Sequence, residues 1–405
     1  MAIPFGVTTT PADHIELKYR REFYKEYVRQ SGFKPYMGVA SAGLLKPIHI
    51  VLENKKGGQT TRIPLLTKLR NRGTAGSSTL VGREEPLGKY SFNCKIEWRR
   101  HAVATEEKDE HYSFVKVVDE VRPLLKQYCE EQVRDEIIDG LAMVKSNAPG
   151  TADEVIGVPL CNPDAPDAPI KNSAVSGTLN AWMNENVDRI LFGHDGVVSP
   201  AAAGLNRVAG NFAGSLTNIT APEKFGAQMV MRMKYLARHA DPLIRPIRIG
   251  EGGREFYVCM VDSDSFDQAW TDTDIKAANM EARAREGDAM EKNPIFQDGD
   301  LLYRGVIIRE IPEIKRLDKA QYGTTVDICR QYLLGAQALA FSWGMEPDFR
   351  KRKEDDYGHI NGVGVTEARG CQKIQFELPV DFSTPAGAKR KVDFGMVTGF
   401  SGHSS

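Results

Sequence analysis

The strongest candidate for chemistry in this sequence is a group of five aspartates, Asp262, Asp264, Asp267, Asp272 and Asp274. Carboxylates at this density can bind a hard cation or divide general acid and general base roles between them. The spacing departs from a calcium-binding loop, because no glycine stands at the turn position and no glutamate closes the loop. We favour a structural role, in which short acidic side chains cap backbone N–H groups where a strand turns into a helix. The alternative is a soluble hydrolase or lyase that uses these carboxylates.

The histidines and cysteines form no pattern typical of a metal site or an active site. His101 and His111 are ten residues apart and flank a charged stretch that we interpret as a solvated turn. The six cysteines are scattered without a CxxC pair, which predicts small buried side chains and neither zinc ligands nor disulfides. The sequence also lacks Walker A, HExxH and GxSxG motifs. We therefore predict no enzyme activity, no cofactor and no metal ion. The six cysteines are Cys94, Cys129, Cys161, Cys259, Cys329 and Cys371.

The charge balance argues against a protein whose main task is to grip nucleic acid. The 405 residues include 53 Lys and Arg against 54 Asp and Glu, a net charge of −1, whereas nucleic-acid-binding domains are usually clearly basic. A basic run at 350–353 is followed at once by three acidic residues, and a second basic cluster occupies 389–391. We interpret both as solvated surface, with low-affinity contact to DNA as the alternative. No apolar run is long enough for a signal peptide or a membrane span, which predicts a chain that is cytosolic when made and has no membrane partner.

Apolar periodicity predicts two helices and a β-rich region in the first third of the chain. Residues 13–30 fit a helix capped by Asp13, and residues 113–145 fit a long helix with Pro123 inside it. Residues 48–105 fit strands, in which Phe92, Cys94, Ile96 and Trp98 alternate with polar residues as in a half-buried strand. The polar stretch around residues 71–79 is typical of a loose loop tip. A long hairpin with so few apolar side chains is expected to pack against another surface.

The rest of the chain reads as a mixture of helices and strands. The proline-rich stretch 147–176 fits an ordered loop, and 178–240 fits helices joined by glycine- and alanine-rich turns. Strands are predicted at 247–249 and 254–261, then one helix over 262–286, a loop over 293–305 and a strand at 306–311. QYLLGAQALAFSW, residues 331–343, is predicted to be a short apolar helix, and 373–382 and 391–400 are predicted to be closing strands.

This order of elements resembles the HK97-type capsid fold, and individual segments resemble the N4-like family of phage major capsid proteins. KGGQTTRIPL and LVGREEPL resemble the two sides of the family's E-loop, and RDEIIDGL resembles the end of its spine helix. Further matches follow in order: LIRPIRIGEGGREFYVCMVDSDSFDQAW, NPIFQDGDLLYRGVIIRE, LLGAQALAFSWG and DYGHINGVGVTEARGCQKIQFE. The segment 150–176 and the loop KRKEDD match nothing in that family.

The resemblance implies an α+β fold divided into the parts of an HK97-type subunit. These parts are an N-terminal arm and helix (1–47), an E-loop (48–110), a P-domain spine helix (111–148), a first A-domain part (149–250), a P-domain strand (251–270), a second A-domain part with its return (271–345), and P-domain C-terminal strands (346–405).

The implied function is that of a major capsid protein that assembles in the host cytoplasm and ends in the virion. The chain would form hexamers and pentamers of an icosahedral shell around double-stranded DNA. Other implied partners are scaffolding, portal and decoration proteins, and non-specific contact with packaged DNA. Glycines in the E-loop would let it adopt different poses at hexamers and pentamers. The residues expected to contact a neighbouring subunit are Arg72, Gly73, Gly76, Arg83, Glu84 and Glu85. Alternatives are a nanocompartment shell of the same fold and a portal or tail-tube ring.

Overall fold

The computed structural model is an α+β protein of helices and long mixed sheets. It describes residues 32–38, 46–52, 60–69, 73–81, 83–85, 88–106, 117–144, 154–155, 160–162, 165–171, 176–194, 206–249, 254–285, 300–317, 319, 323–351, 360–380 and 388–403. The α-helices in these ranges are α1 (Val117–Ala142), α2 (Ser176–Glu185), α3 (Phe212–Thr217), α4 (Ala227–His239), α5 (Ser263–Thr271) and α6 (Thr273–Arg285). A short 3₁₀ helix covers Lys34–Tyr36.

Twenty strands belong to the described residues. Those before α4 are β1 (Met37–Gly38), β2 (Ile48–Leu52), β3 (Thr60–Leu66), β4 (Lys89–Lys95), β5 (Glu97–Glu106), β6 (Met143–Val144), β7 (Glu154–Val155), β8 (Leu160–Asn162), β9 (Ala165–Lys171) and β10 (Ile190–Phe192). Those after α4 are β11 (Ile247–Ile249), β12 (Arg254–Val261), β13 (Leu301–Tyr303), β14 (Val306–Glu310), β15 (Asp327–Leu334), β16 (Leu339–Lys351), β17 (Ile360–Lys373), β18 (Gln375–Pro379), β19 (Lys389–Asp393) and β20 (Met396–His403).

A seven-stranded sheet of order β10-β20-β15-β12-β14-β13, with β11 paired to β12, carries helices α4, α5 and α6. Its longest pairing is antiparallel and joins β15 to β20 from Asp327↔His403 to Leu334↔Met396. The part of one face that lies under α4 is apolar, and α4 buries Met229, Val230 and Met233 in the core there. Gly399 of β20 permits this close approach, because a Cβ there would meet the Met229 side chain at 2.6 Å.

A five-stranded sheet has the order β1-β2-β16-β17-β5.

Contacts divide the chain into two compact units. One contains residues 100–131 and 347–366, and the other contains Ser31–Arg99, Gln132–Glu346 and Glu367–Ser405. In the first unit, Val121, Leu125 and Cys129 of α1 form a small core with Val363 and Val365 of β17. The helix α1 and the strands β5, β16 and β17 each begin in one unit and end in the other.

The long helix predicted at 113–145 is present as α1, with Pro123 inside it. At about 1.5 Å per residue, its 26 residues span roughly 39 Å. Its last turns bury Ile137, Ile138 and Leu141 in the main core of the larger unit. Pro123 is exposed and lies in the second turn, so the hydrogen bond that it removes is near the helix start.

The prediction of a helix at 331–343 is wrong. The segment forms the end of β15 and the start of β16, joined by a turn in which Gln337 has φ 60°. Gly335 in this turn approaches the backbone oxygen of Arg245, which a Cβ would meet at 2.5 Å. In β15 and at the start of β16 both faces are covered, so every residue from Ile328 to Ala336 is buried and the period-two alternation disappears. A continuous apolar run of this kind resembles a buried helix.

Four smaller expectations are also corrected. The strand β10 interrupts the segment 178–240, which was expected to be helical, and β13 lies inside the loop expected at 293–305. The single helix expected at 262–286 is two helices, broken at Asp272. Strands β7, β8 and β9 occur in the stretch 147–176, which was expected to be a loop. The strands β7, β8, β10 and β13 are at most three residues long, so their periodicity is too short to recognise. The two helices are separated by the single residue Asp272. The exception is β9, which has seven residues.

The other expectations for the fold stand where the structure describes them. Strands at 247–249 and 254–261 are confirmed with those bounds. The β-rich region 48–105 is confirmed as β2 to β5, and the closing region forms β17 to β20. The N-terminal helix at 13–30 lies outside the described residues. None of the described helices has the length and apolarity needed to cross a membrane.

Candidate assembly surface

The hairpin β3–β4 is the base of the predicted E-loop, and it is anchored on its own chain. The two strands pair antiparallel from Thr60↔Lys95 to Leu66↔Lys89. One face buries Phe92 and Cys94 against a small core made by β18 and β19, which includes Phe376. The Phe92 and Phe376 rings meet edge to face with centroids 6.4 Å apart. The second hairpin therefore supplies the apolar surface that the first lacks.

At the end of this stem and in the loop beyond it, large apolar side chains are exposed to solvent. Val81 is 84% exposed, and Leu69, Leu66 and Leu80 are each at least 60% exposed. Single exposed apolar residues are ordinary on protein surfaces. Here four occur along one excursion of the chain, and no described core cluster includes them. Such an exposed set is typical of an interaction surface.

The predicted contact residues lie on this loop where the structure describes them. Gly73 and Gly76 have φ of 77° and 73°, and a Cβ at either would meet nothing within 4 Å. Both glycines are therefore required by backbone conformation, and not by crowding. Arg83 and Glu84 are exposed and Glu85 is half-buried. Arg72 lies outside the described residues.

A network of four charged side chains holds the base of the loop. Arg99 of β5 lies 3.0 Å from Glu136 of α1, and Glu136 accepts a hydrogen bond of 2.7 Å from Arg369 of β17. Arg369 also donates to Glu367. Arg369 is 1% exposed, and the side chains of Glu136 and Glu367 are below a tenth exposed. Burial raises the pKa of the Glu367 carboxyl, and the charge of Arg369 opposes that rise.

Gly370, next to Arg369, lies against the loop strand. A Cβ at this position would meet the backbone oxygen of Lys95 at 1.9 Å and the Lys95 carbonyl carbon at 2.9 Å. Only glycine fits, because backbone atoms cannot move aside as a flexible side chain can. The same region carries Trp98, which is 68% exposed and so departs from the half-buried strand expected for residues 92–98.

We expect Gly370→Ala to destabilise the protein by about 3 kcal/mol, at the upper end of the usual cost of overpacking. Gly177→Ala is the matched control, because a Cβ at this helical position meets nothing within 4 Å. Urea unfolding of both variants measures the difference. Equal stability of the two variants would contradict the close approach of β17 to Lys95.

The aspartate group expected to cap a helix does so at Asp272. Its Oδ1 accepts from the backbone N–H groups of Asp274 and Ile275 at the start of α6, and its Oδ2 accepts from the N–H of Ala227. Asp262 is the N-terminal cap residue of α5, yet its carboxylate accepts from the Ser265 hydroxyl and from no cap N–H. The structural interpretation is therefore confirmed for Asp272.

Asp264 has surroundings that the sequence did not indicate. Its carboxylate, the Cys329 sulfur and a ring nitrogen of His403 lie within 4.8 Å of one another. Cys, His and Asp can form a nucleophilic site if the thiol is ionised. Here burial first, and then the negative charge of Asp262, raise the pKa of the Cys329 thiol. Cys329 is therefore a poor nucleophile.

The remaining candidates have structural surroundings. Cys94, Cys129, Cys259, Cys329 and Cys371 are buried, as predicted, and the side chain of Cys161 lies outside the described residues. His101 stacks on Tyr128 at 4.3 Å, and His111 lies outside the described residues. Arg350 pairs with Asp348 on the surface at 2.8 Å, whereas residues 352–359 are not described.

The architecture is that of HK97-like phage capsid subunits. The capsid protein of cyanophage Pam1 is 28% identical, covering 97% of this chain and 98% of that chain with a TM-score of 0.73. The capsid of Ralstonia phage GP4 is 18% identical, covering 99% and 98% with a TM-score of 0.67. The head of Helicobacter pylori bacteriophage KHP40 is 14% identical, covering 100% and 98% with a TM-score of 0.61.

A family model described as phage capsid protein matches residues 8–399. The chain therefore belongs to the phage capsid protein family and is a structural component of a phage shell. Comparison with curated proteins gives no match.

Proposed function

We propose that this chain is the major capsid protein of a tailed bacteriophage of the N4-like group and has no catalytic activity of its own. Copies of the chain form hexamers and pentamers of an icosahedral shell, assembled in the host cytoplasm, that encloses double-stranded DNA. The observation that carries the proposal is the family match over residues 8–399, joined to an exposed apolar loop on a well-anchored stem. The N4-like assignment rests on the segments quoted above.

In this proposal the chain divides as an HK97-type subunit does. Residues 48–110 are the E-loop, 111–148 the spine helix, and 149–250 with 271–345 the A-domain. Residues 1–47 form the arm, and 251–270 with 346–405 complete the P-domain. The loop residues Arg72, Gly73, Gly76, Arg83, Glu84 and Glu85 contact the adjacent subunit.

In this proposal the exposed loop makes the contact between subunits, and the stem holds the loop in place. Burying Leu80 and Val81 against a neighbour removes apolar surface from water, which stabilises the contact by about 1.5–3 kcal/mol per side chain. The charge network at Glu136 fixes the direction in which the loop leaves the subunit. Scaffolding, portal and decoration proteins are further proposed partners, together with non-specific contact to packaged DNA.

The test is the composition of particles purified from a phage lysate. We expect this chain to be the most abundant protein in icosahedral particles that protect DNA from nuclease. Shells that hold a protein cargo and no genome would instead indicate a nanocompartment. A ring of fixed small number would indicate a portal or tail component.

A further inference from the structure

A buried polar layer lies between the seven-stranded sheet and α5, in contrast to the apolar layer under α4. On β15 and β20, Cys329 pairs with Ser401 and Asp327 pairs with His403, so these four side chains share one face of the sheet. Gln331 continues that face, and its amide donates to the Ser265 hydroxyl of α5 and to the Ser401 hydroxyl. A sheet face under a helix is normally apolar, so this layer calls for a physical explanation.

We propose that Asp264, Cys329 and His403 bind one divalent cation of the zinc class. Their ligand atoms, a carboxylate oxygen, a thiol sulfur and an imidazole nitrogen, all lie within 4.8 Å of one another. Thiolate, imidazole and carboxylate are the three ligand types that zinc takes in proteins, at roughly 2.0–2.3 Å from the metal. Small side-chain rotations would bring the three atoms onto one ion.

The charges around the three ligands favour a cation. Asp262 is 3% exposed and contacts the Cys329 thiol, and Asp327 lies on the same sheet face. The positive charge near these carboxylates and Asp264 is that of Arg316. Its guanidinium lies 3.0 Å from Asp264 and 3.7 Å from Asp327. Arg316 is 43% exposed, so solvent weakens its attraction to the two carboxylates.

Of two neighbouring amides, that of Gln268 competes with a bound metal and that of Gln331 favours one. Gln268 accepts from the Phe225 N–H through Oε1, which fixes its amide so that Nε2 faces His403 Nδ1 at 3.3 Å. His403 Nδ1 accepts from this amide, which places the proton of the neutral ring on Nε2, so a metal would bind through Nδ1 and take the place of the Gln268 contact. The Oε1 atom of Gln331 is buried and has no hydrogen-bond partner among the described residues. A water on the metal would be a donor of the kind that this oxygen lacks.

The role of this ion would be structural. It would join the first turn of α5 to β15 and to the end of β20, three segments far apart in sequence. In the metal-bound form the thiol proton is lost and the cation takes its place. The proposal concerns metal binding by the folded chain, and it does not depend on the proposed shell function.

The test is titration of the full-length, chelator-treated chain with Co²⁺, followed by competition with Zn²⁺. We expect one Co²⁺ per chain, with a thiolate-to-cobalt charge-transfer band that Zn²⁺ abolishes. Cys329→Ser should remove the band, and His403→Gln should weaken binding at least tenfold. Cys259→Ser is the matched control, because Cys259 is equally buried on β12 and belongs to no ligand group among the described residues.

Circular dichroism checks that each variant folds, and His403 is half-buried, so its substitution tests the site even if Cys329→Ser unfolds. The proposal is overturned if the parent chain binds no Co²⁺. It is also overturned if the parent and His403→Gln bind with equal strength.

Discussion

A variant with Leu80→Asp and Val81→Asp is expected to remain folded as a subunit and to lose shell assembly. The two side chains are 60% and 84% exposed, so the subunit itself does not depend on them. In an assembled shell they would be buried against a neighbour, and two carboxylates there would be unpaired and desolvated. A loss of about 2 kcal/mol or more at each contact is repeated at every interface, so the effect on a closed shell is large.

Electron microscopy of the purified variant measures shell formation, and thermal unfolding measures the subunit. The matched control is Ser77→Asn with Ser78→Asn, which changes the same exposed loop but keeps it polar. We expect the control to assemble as the parent does. Normal shells from the aspartate variant would show that the loop is not an assembly surface.

Arg369→Ala is expected to cost about 3–5 kcal/mol of folding free energy, the range found when one partner of a buried ion pair is removed. Its loss leaves Glu367 buried without its cation and leaves Glu136 with Arg99 alone. Removing the positive charge of Arg369 also raises the pKa of Glu367 further, because that charge opposes the effect of burial. Denaturant unfolding of the subunit measures the change.

Arg350→Ala is the control for Arg369→Ala, because its pair with Asp348 is solvent-exposed and is expected to contribute at most about 1 kcal/mol. The double variant Arg369→Met with Glu367→Met should cost less than Arg369→Ala, since it removes both charges and fills the space. A loss near zero for Arg369→Ala would show that the network does not hold the base of the loop.

The sequence was sufficient for the parts of the fold that have long, one-sided periodicity. The helix α1 keeps an apolar stripe over many turns, and β11 and β12 are separated by a glycine-rich turn, so their extents could be predicted. The hairpin β3–β4 could also be predicted, because a polar tip with Gly73 and Gly76 separates two strand-like segments. The capsid architecture followed from the order of these segments and their resemblance to a family.

The sequence was insufficient where burial is two-sided or where partners are distant. Strand β15 and the first residues of β16 are covered on both faces, so their apolar run has no period to distinguish it from a helix. The network of Arg99, Glu136 and Arg369 joins residues from three elements, and nothing local marks any of them as buried. The grouping of Asp264 with Cys329 and His403 depends on the register of β15 with β20, which only the structure provides.

The most direct test of the central claim, that this chain builds a shell, is electron microscopy with velocity sedimentation of the chain expressed alone. We expect closed shells, capsomer-sized rings, or sheets and tubes whose amount rises with protein concentration. A monodisperse monomer, dimer or tetramer over a wide range of concentration and salt would contradict the claim.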